Sequence, residues 1–194
     1  MHDLKKKSCK ILLRIFTRGY REKVYLESPS PVQCNEVISN FNNNHEGISL
    51  NSSSTCTNST VSLLSSTKLH TLNLRSLEIR STPLTNDCTQ YLCILLTNNK
   101  TIQELVISLY SISDRGVTNI CQVLKHNYTL TSLDLNNNPL ITSTSGQALS
   151  HLLFNNLSLV ELNLRSNSLS TESILLILQS LMDNKIMRRL RLDE

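Results

Sequence analysis

The sequence predicts an α/β solenoid: a horseshoe with a concave parallel β-sheet and helices on its convex side. Three observations predict it. The first is a repeat. Leu130, Leu133 and Leu135 are followed by Asn138, and Leu159, Leu162, Leu164 and Asn167 repeat the spacing. Leu74, Ile102 and Met187 open the same apolar spacing, so the repeat starts fall at 74, 102, 130, 159 and 187, in steps of 28, 28, 29 and 28. The second is a change of period inside each unit. Leu133 and Leu135 alternate with Ser132, Asp134 and Asn136, as in a strand. Leu149, Leu152 and Leu153 then follow at helical spacing, as do Leu92, Leu95 and Leu96 one way and Ile120, Val123 and Leu124 another. The third is physical. No single unit can bury its own apolar face, so neighbours must stack. Stacked strands sit about 4.8 Å apart and stacked helices about 8–10 Å apart, so the stack bends with its strands inside.

The core L-x-x-L-x-L-x-x-N at this period is the leucine-rich repeat signature. The fold class is therefore a leucine-rich repeat solenoid. The join between units narrows the reading: Asn99-Lys-Thr-Ile102, Asn127-Tyr-Thr-Leu130 and Asn156-Leu-Ser-Leu159. This join resembles the Asn-x-Thr-Leu of the ribonuclease-inhibitor-like subclass, found also in the repeat region of NOD-like receptors. The resemblance covers at least residues 69–194. It implies a non-enzymatic protein-interaction module, of the kind that forms the sensing or regulatory repeats of an innate-immune receptor. The alternative it implies is a regulatory inhibitor that caps a partner enzyme. It also implies that the asparagine after each strand turns inward to bond backbone groups of adjacent turns, a structural ladder of Asn138 and Asn167. Thr82 and Tyr110 stand at that place in the earlier repeats, so the ladder is expected to be weaker there.

Taken in order, the chain of 194 residues opens on a basic arm, residues 1–23, with net charge +6; everything after it sums to −2. Ile11, Leu12, Ile15 and Phe16 fit one helical face, which predicts a capping helix over the first repeat. A basic amphipathic helix can also lie on an anionic surface. Arg14 and Arg18 interrupt the apolar run that a signal peptide needs. Residues 24–68 read as degenerate repeats with a Ser/Asn-rich loop: Val24 and Leu26 alternate, Val37, Ile38 and Phe41 have helical spacing, and Ile48 and Leu50 suggest another strand. The stretch 27–60 is polar and is expected to be the least well packed. Residues 69–194 carry the regular repeats. Their first register is open, because Leu69, Leu72 and Leu74 satisfy the motif as well as Leu74, Leu77 and Ile79 do.

Searching the sequence for chemistry excludes several classes. Four glycines and no G-x-x-x-x-G-K-[ST] leave no phosphate-binding loop in this chain, and neither H-E-x-x-H nor a calcium-loop pattern occurs. The five histidines are scattered, and the six cysteines show no C-x-x-C. No catalytic, cofactor-binding or metal-binding residue is assigned, no cofactor is expected, and the chain is read as no enzyme. No apolar run approaches the ~20 residues of a transmembrane helix. N-x-[ST] matches occur at Asn51, Asn58, Asn99, Asn127 and Asn156 and could be glycosylation acceptors, but the last three are the repeat join itself and poor evidence for secretion, and a cytoplasmic location is expected.

Binding is expected on the concave face, where the residues between the leucines point. The central column is Glu78, Val106, Asp134, Asn163 and Arg191. Beside it stand Glu104, Ser132, Glu161 and Arg189 on one side and Asn136 and Arg165 on the other. This face is polar and runs from acidic at Glu104, Asp134 and Glu161 to basic at Arg165, Arg189 and Arg191, with no aromatic anchor. The partner expected is another protein and not nucleic acid.

Overall fold

A computed structural model describes residues 11–14, 22–52 and 57–193. Its strands are β1 (Ile11–Arg14), β2 (Glu22–Glu27), β3 (His45–Asn51), β4 (Ser76–Arg80), β5 (Glu104–Ser108), β6 (Ser132–Asp134), β7 (Glu161–Asn163) and β8 (Arg189–Arg191). Its helices are α1 (Pro31–Asn40), α2 (Thr57–Leu64), α3 (Asn86–Asn98), α4 (Asp114–Leu124), α5 (Gly146–Asn155) and α6 (Thr171–Ser180). The strands form one sheet in sequence order, parallel from β2 to β8, with β1 added antiparallel on β2. Each helix lies between consecutive parallel strands and packs on the next helix, which is the leucine-rich repeat horseshoe.

Register follows the leucines. Val24, Ile48, Leu77, Leu105, Leu133, Leu162 and Leu190 are paired in one line across the sheet. Leu77 in that line settles the open register in favour of Leu74, Leu77 and Ile79. Leu69 is buried in a short 3-10 turn, Thr67–His70, ahead of the strand. The strand leucines Leu77, Leu105, Leu133 and Leu162 and the helical stripe Leu92, Leu95, Leu96, Ile120, Leu124, Leu149, Leu152, Leu153 and Ile177 are at most 1% exposed and form one continuous core, with Leu190 partly buried against it.

Two departures concern the N-terminal part. Of the basic arm, residues 1–10 and 15–21 lie outside the described residues. Residues 11–14 form a strand and not the expected helix. The first parallel strand leaves a row of backbone groups open on its outer edge, and an antiparallel strand satisfies them. The stretch 27–60 is also better packed than expected. Val24, Leu26, Cys34, Ile38, Ile48 and Leu50 are all buried, and α1 carries a Ser30/Gln33 capping box with Pro31 in its first turn. Its polar residues are used between repeats: the Ser59 hydroxyl donates to the Pro29 carbonyl, and Ser62 donates to the Asn35 side-chain oxygen at 3.1 Å.

Candidate functional site

The inner face is set by strand pairing. Side chains alternate across a strand, so burying Leu77 and Ile79 turns Glu78 outward. Pairing then aligns Glu78, Val106, Asp134, Asn163 and Arg191 as the central column, and Glu104, Ser132, Glu161 and Arg189 beside it. Asn136 and Arg165 lie just past their strands. Because β2 and β3 belong to the same sheet, the columns also take in Lys23, Tyr25 and Ser49. The aromatic missing from the sequence reading is therefore present as Tyr25, and the signal for it was the Val24/Leu26 alternation.

The charges on this face are partly consumed within the chain. Glu78 is held by Lys23 Nζ at 2.5 Å, by Ser49 Oγ at 2.9 Å and by Arg80 Nε at 3.2 Å. Burial raises its carboxyl pKa, but the Lys23 contact and charge, with Arg80 and Ser49, outweigh burial and leave it below the ordinary value. Lys23 reaches Glu78 across β3 because Gly47 lies between them. A Cβ there would sit 2.8 Å from Lys23 Cε. Glu161 is paired with Arg189 at 2.8 Å, and Asp134 Oδ1 accepts from the Asn136 amide and side chain at 3.0 and 2.8 Å. Asp134, Glu161, Arg189 and Arg191 share one shallow depression, whereas Glu104 lines another of about 240 Å³ with Glu46 and Arg75. Glu104 is exposed, and its carboxylate has no ion pair or hydrogen bond among the described residues. Within the acid-to-base trend of the sequence Glu161 and Arg189 pair with each other, while Glu104, Asp134, Arg165 and Arg191 make no ion pair among the described residues.

The rim where strands turn toward helices carries the inward ladder. Asn138 is fully buried; its Oδ1 accepts from the amides of Ser111 (2.8 Å) and Ile112 (3.2 Å), and its Nδ2 donates to the Ile107 and Leu135 carbonyls at 2.8 Å. Asn167 Oδ1 accepts from the Asn138 amide at 2.9 Å. Upstream the ladder residue is Ser111 and not Tyr110: Ser111 Oγ accepts from the Thr82 amide at 3.1 Å. Ser28, Ser81, Asn137 and Ser166 each take a positive φ at this turn. From strand to ladder residue the turn after β5, Ser108 to Ser111, is one residue longer than the turn after β4, Arg80 to Thr82, and Leu109 and Tyr110 both adopt φ of 63°. Consecutive left-handed residues with large side chains are unfavourable. They leave Tyr110 69% exposed at the edge of the inner face.

A second ladder, which the sequence reading took only as a family mark, runs along the join. Asn99, Asn127 and Asn156 are 1–2% exposed. Each accepts from the amides two and three residues on, as Asn156 does from Ser158 at 2.9 Å and Leu159 at 2.7 Å. Each donates back to the preceding repeat, as Asn127 does to the Leu96 carbonyl at 2.7 Å. Asn184 makes the same pattern.

Elsewhere, Cys121 is buried and its thiol is pushed up to about 12, and burial pushes Cys93 up to about 11, so neither is a ready nucleophile at neutral pH. Among the described residues no group of three His, Cys, Asp or Glu side chains converges as a metal site, and no helix is long and apolar enough to cross a membrane.

No protein-family profile matches the chain. It is 33% identical to the ribonuclease inhibitor of Sus scrofa over 108 residues, 56% of this chain and 24% of that protein. It is 34% identical to NACHT, LRR and PYD domains-containing protein 3 of Rattus norvegicus over 111 residues, 57% of this chain and 11% of that protein. The chain thus spans about a quarter or less of the length of these curated relatives. Among solved structures it is similar to leiomodin-1 actin-binding site 2, with a TM-score of 0.57 and 21% identity over 66% of this chain and 76% of that one, a likeness of fold. Repeat spacing and sheet register make the chain a leucine-rich repeat solenoid, and over about half its length it resembles ribonuclease inhibitor and NACHT, LRR and PYD domains-containing protein 3.

Proposed function

We propose that the chain is a non-enzymatic protein-interaction module, the sensing or regulatory repeats of an innate-immune receptor-type protein. The observation that carries this reading is the inner face. Seven parallel strands align their outward side chains in columns, and this face leaves Glu104 and one Asp134 oxygen without a partner among the described residues, with Val106 two residues along β5 from Glu104 and paired to Asp134, and Tyr110 exposed at the rim. A rigid face with few unpaired carboxylates beside an apolar side chain and an aromatic is suited to a protein surface that offers a basic group and an apolar one. Nucleic acid is disfavoured by the same carboxylates. A cytoplasmic location belongs to this reading. Asn99, Asn127 and Asn156 spend their amides inside the fold, so three of the five N-x-[ST] matches are explained by the fold and are no sign of secretion.

A photo-crosslinking residue at Val106 is expected to capture a protein, and the same residue at Phe154 on the convex side is not. Reversing Glu104 and Asp134 together is expected to remove that capture with the circular dichroism spectrum unchanged. Capture from Phe154 alone would overturn the inner face as the site. The second reading, an inhibitor that caps a partner enzyme, is favoured by the match to ribonuclease inhibitor. It requires that the captured protein be an enzyme whose turnover falls on addition of the chain.

A further inference from the structure

A depression of about 240 Å³ lies where β3, β4 and β5 begin, lined by Glu46, Arg75, Ser76, Gln103 and Glu104. Strand register places it on the inner face: Gly47, Ser76 and Glu104 are paired in one row, and Ser76 shares the outward parity of Glu78. The Arg75 amide donates to the Glu46 carbonyl at 2.8 Å, and the Gln103 and Glu104 amides donate to the Arg75 carbonyl at 2.8 and 3.0 Å. Glu46 and Glu104 therefore straddle Ser76, one strand to either side. Glu46, Glu104 and Arg75 make no ion pair among the described residues. Lys23 stands opposite Gly47, but its ammonium is bound to Glu78 at 2.5 Å. Two carboxylates against one guanidinium leave the depression a net charge of −1. Ser76 adds a second observation. It is 6% exposed, and its hydroxyl has no hydrogen-bond partner. Buried polar atoms are ordinarily paired, because a bare one forfeits its bonds to water. The row goes on to Glu104, Ser132 and Glu161, a second serine between two glutamates. There Glu161 is bound to Arg189 at 2.8 Å, and the depression shrinks to about 40 Å³. The open site is particular to Ser76.

We propose that this depression is a subsite for one lysine side chain of a protein docked on the inner face. The inference rests on the proposed function, since it takes that face as a docking surface, and it adds the group that the partner presents. Chemistry selects the occupant. A single positive group cancels the net charge. An ammonium carries three donors and no acceptor, which matches three acceptors here: a Glu46 oxygen, a Glu104 oxygen and the Ser76 hydroxyl oxygen. Bonds from a charged donor to a carboxylate are the strong ones, so they offset the loss of the ammonium's water. A partner guanidinium fits less well. Its five donors in a rigid fork outnumber these acceptors, and Arg75 already presents the same planar cation there. A carboxylate or phosphate would face Glu46 and Glu104 with only Arg75 to hold it.

NMR titration of the full chain with small cations tests it. n-Butylammonium stands for the lysine side chain, n-butylguanidinium for arginine and N-butylacetamide for the uncharged stem. n-Butylammonium is expected to shift the Ser76 and Glu104 resonances saturably, n-butylguanidinium to bind more weakly, and N-butylacetamide not to bind. Glu46→Gln and Glu104→Gln should each weaken n-butylammonium binding by about tenfold, the scale of one hydrogen bond to a charged group. Ser76→Ala should weaken it too, with a denaturant midpoint no lower than that of the parent chain, because the hydroxyl has no partner within the fold. Resonances that n-butylammonium leaves unshifted overturn the subsite. So does tighter binding of the guanidinium, or a Ser76→Ala chain that binds as well as the parent. Capture from Val106 separates this inference from the proposed function. Capture without n-butylammonium binding overturns the subsite alone. Binding of n-butylammonium without capture supports the ammonium site and overturns the docking reading.

Discussion

Asparagine has two lives in this chain, and sequence shows only their spacing. Asn137 and Asn138 are neighbours of the same type, yet Asn137 is exposed while Asn138 is buried with five hydrogen bonds from its side chain. Asn138→Ala leaves buried amides and carbonyls without partners and is expected to cost roughly 2–4 kcal/mol, against less than about 0.5 kcal/mol for Asn137→Ala. Denaturant unfolding of the two variants measures the difference; equal losses would remove the ladder as a stabilising element. Glu78 makes a second test at this scale. Its folded pKa lies below the unfolded value of about 4.3, so its contribution is complete above that value and is lost as pH falls through the lower folded one. Asp114 acts in the same direction: burial pushes its carboxyl up, but the Ser145 and Thr142 hydroxyls and amides hold it below the ordinary value. Stability should therefore decline with acidification below about pH 4.3, and Glu78→Gln should flatten part of that decline. An unchanged pH profile in the variant would show that the Lys23 contact is not formed in solution.

The repeat unit sets the energetics of each element. Leu133 on β6 is 1% exposed between two well-formed repeats. Leu133→Ala is expected to cost roughly 2–5 kcal/mol, and a loss under about 1 kcal/mol would mean a different strand register. Gly47 on β3 is an element-level adaptation to the charge network. A Cβ at this position would press on Lys23 Cε and Cγ at 2.8 and 3.1 Å and on the Ser76 carbonyl oxygen at 3.2 Å. Gly47→Ala should displace Lys23 and raise the Glu78 pKa toward the ordinary carboxylate value, readable by NMR titration of the side-chain carboxylate. The strand and helix positions in 102–194 were legible because leucine period switches from 2 to helical spacing within one unit, whereas strand pairing was needed to choose between the two registers at 69–101. Strand β1 was not. Its four residues have an apolar run compatible with either periodicity, and the unpaired edge of β2 decides between them.

At the scale of the molecule, stability in a stack of repeats is a sum of repeat terms and neighbour interfaces. The polar composition of 27–60 pointed to weak packing there, and the buried residues of β2, α1 and β3 point the other way. Native-state hydrogen exchange should find the amides of β2 and β3 as slow as those of β5 and β6. Fast exchange across 22–51 would return the N-terminal repeats to the loosely held state that composition suggests.

The sequence by itself determined the solenoid, its period, and the buried leucine line and the columns of the inner face from β5 onward. A period of 28 or 29 residues imposes stacking, and stacking imposes which side chains point inward. Only the tertiary structure decided which charges remain available, because Lys23 and Glu78 are 55 positions apart and meet only when three strands align over Gly47. It decided the ladder residue at Ser111, because a single extra residue in the turn shifts the register of the rim.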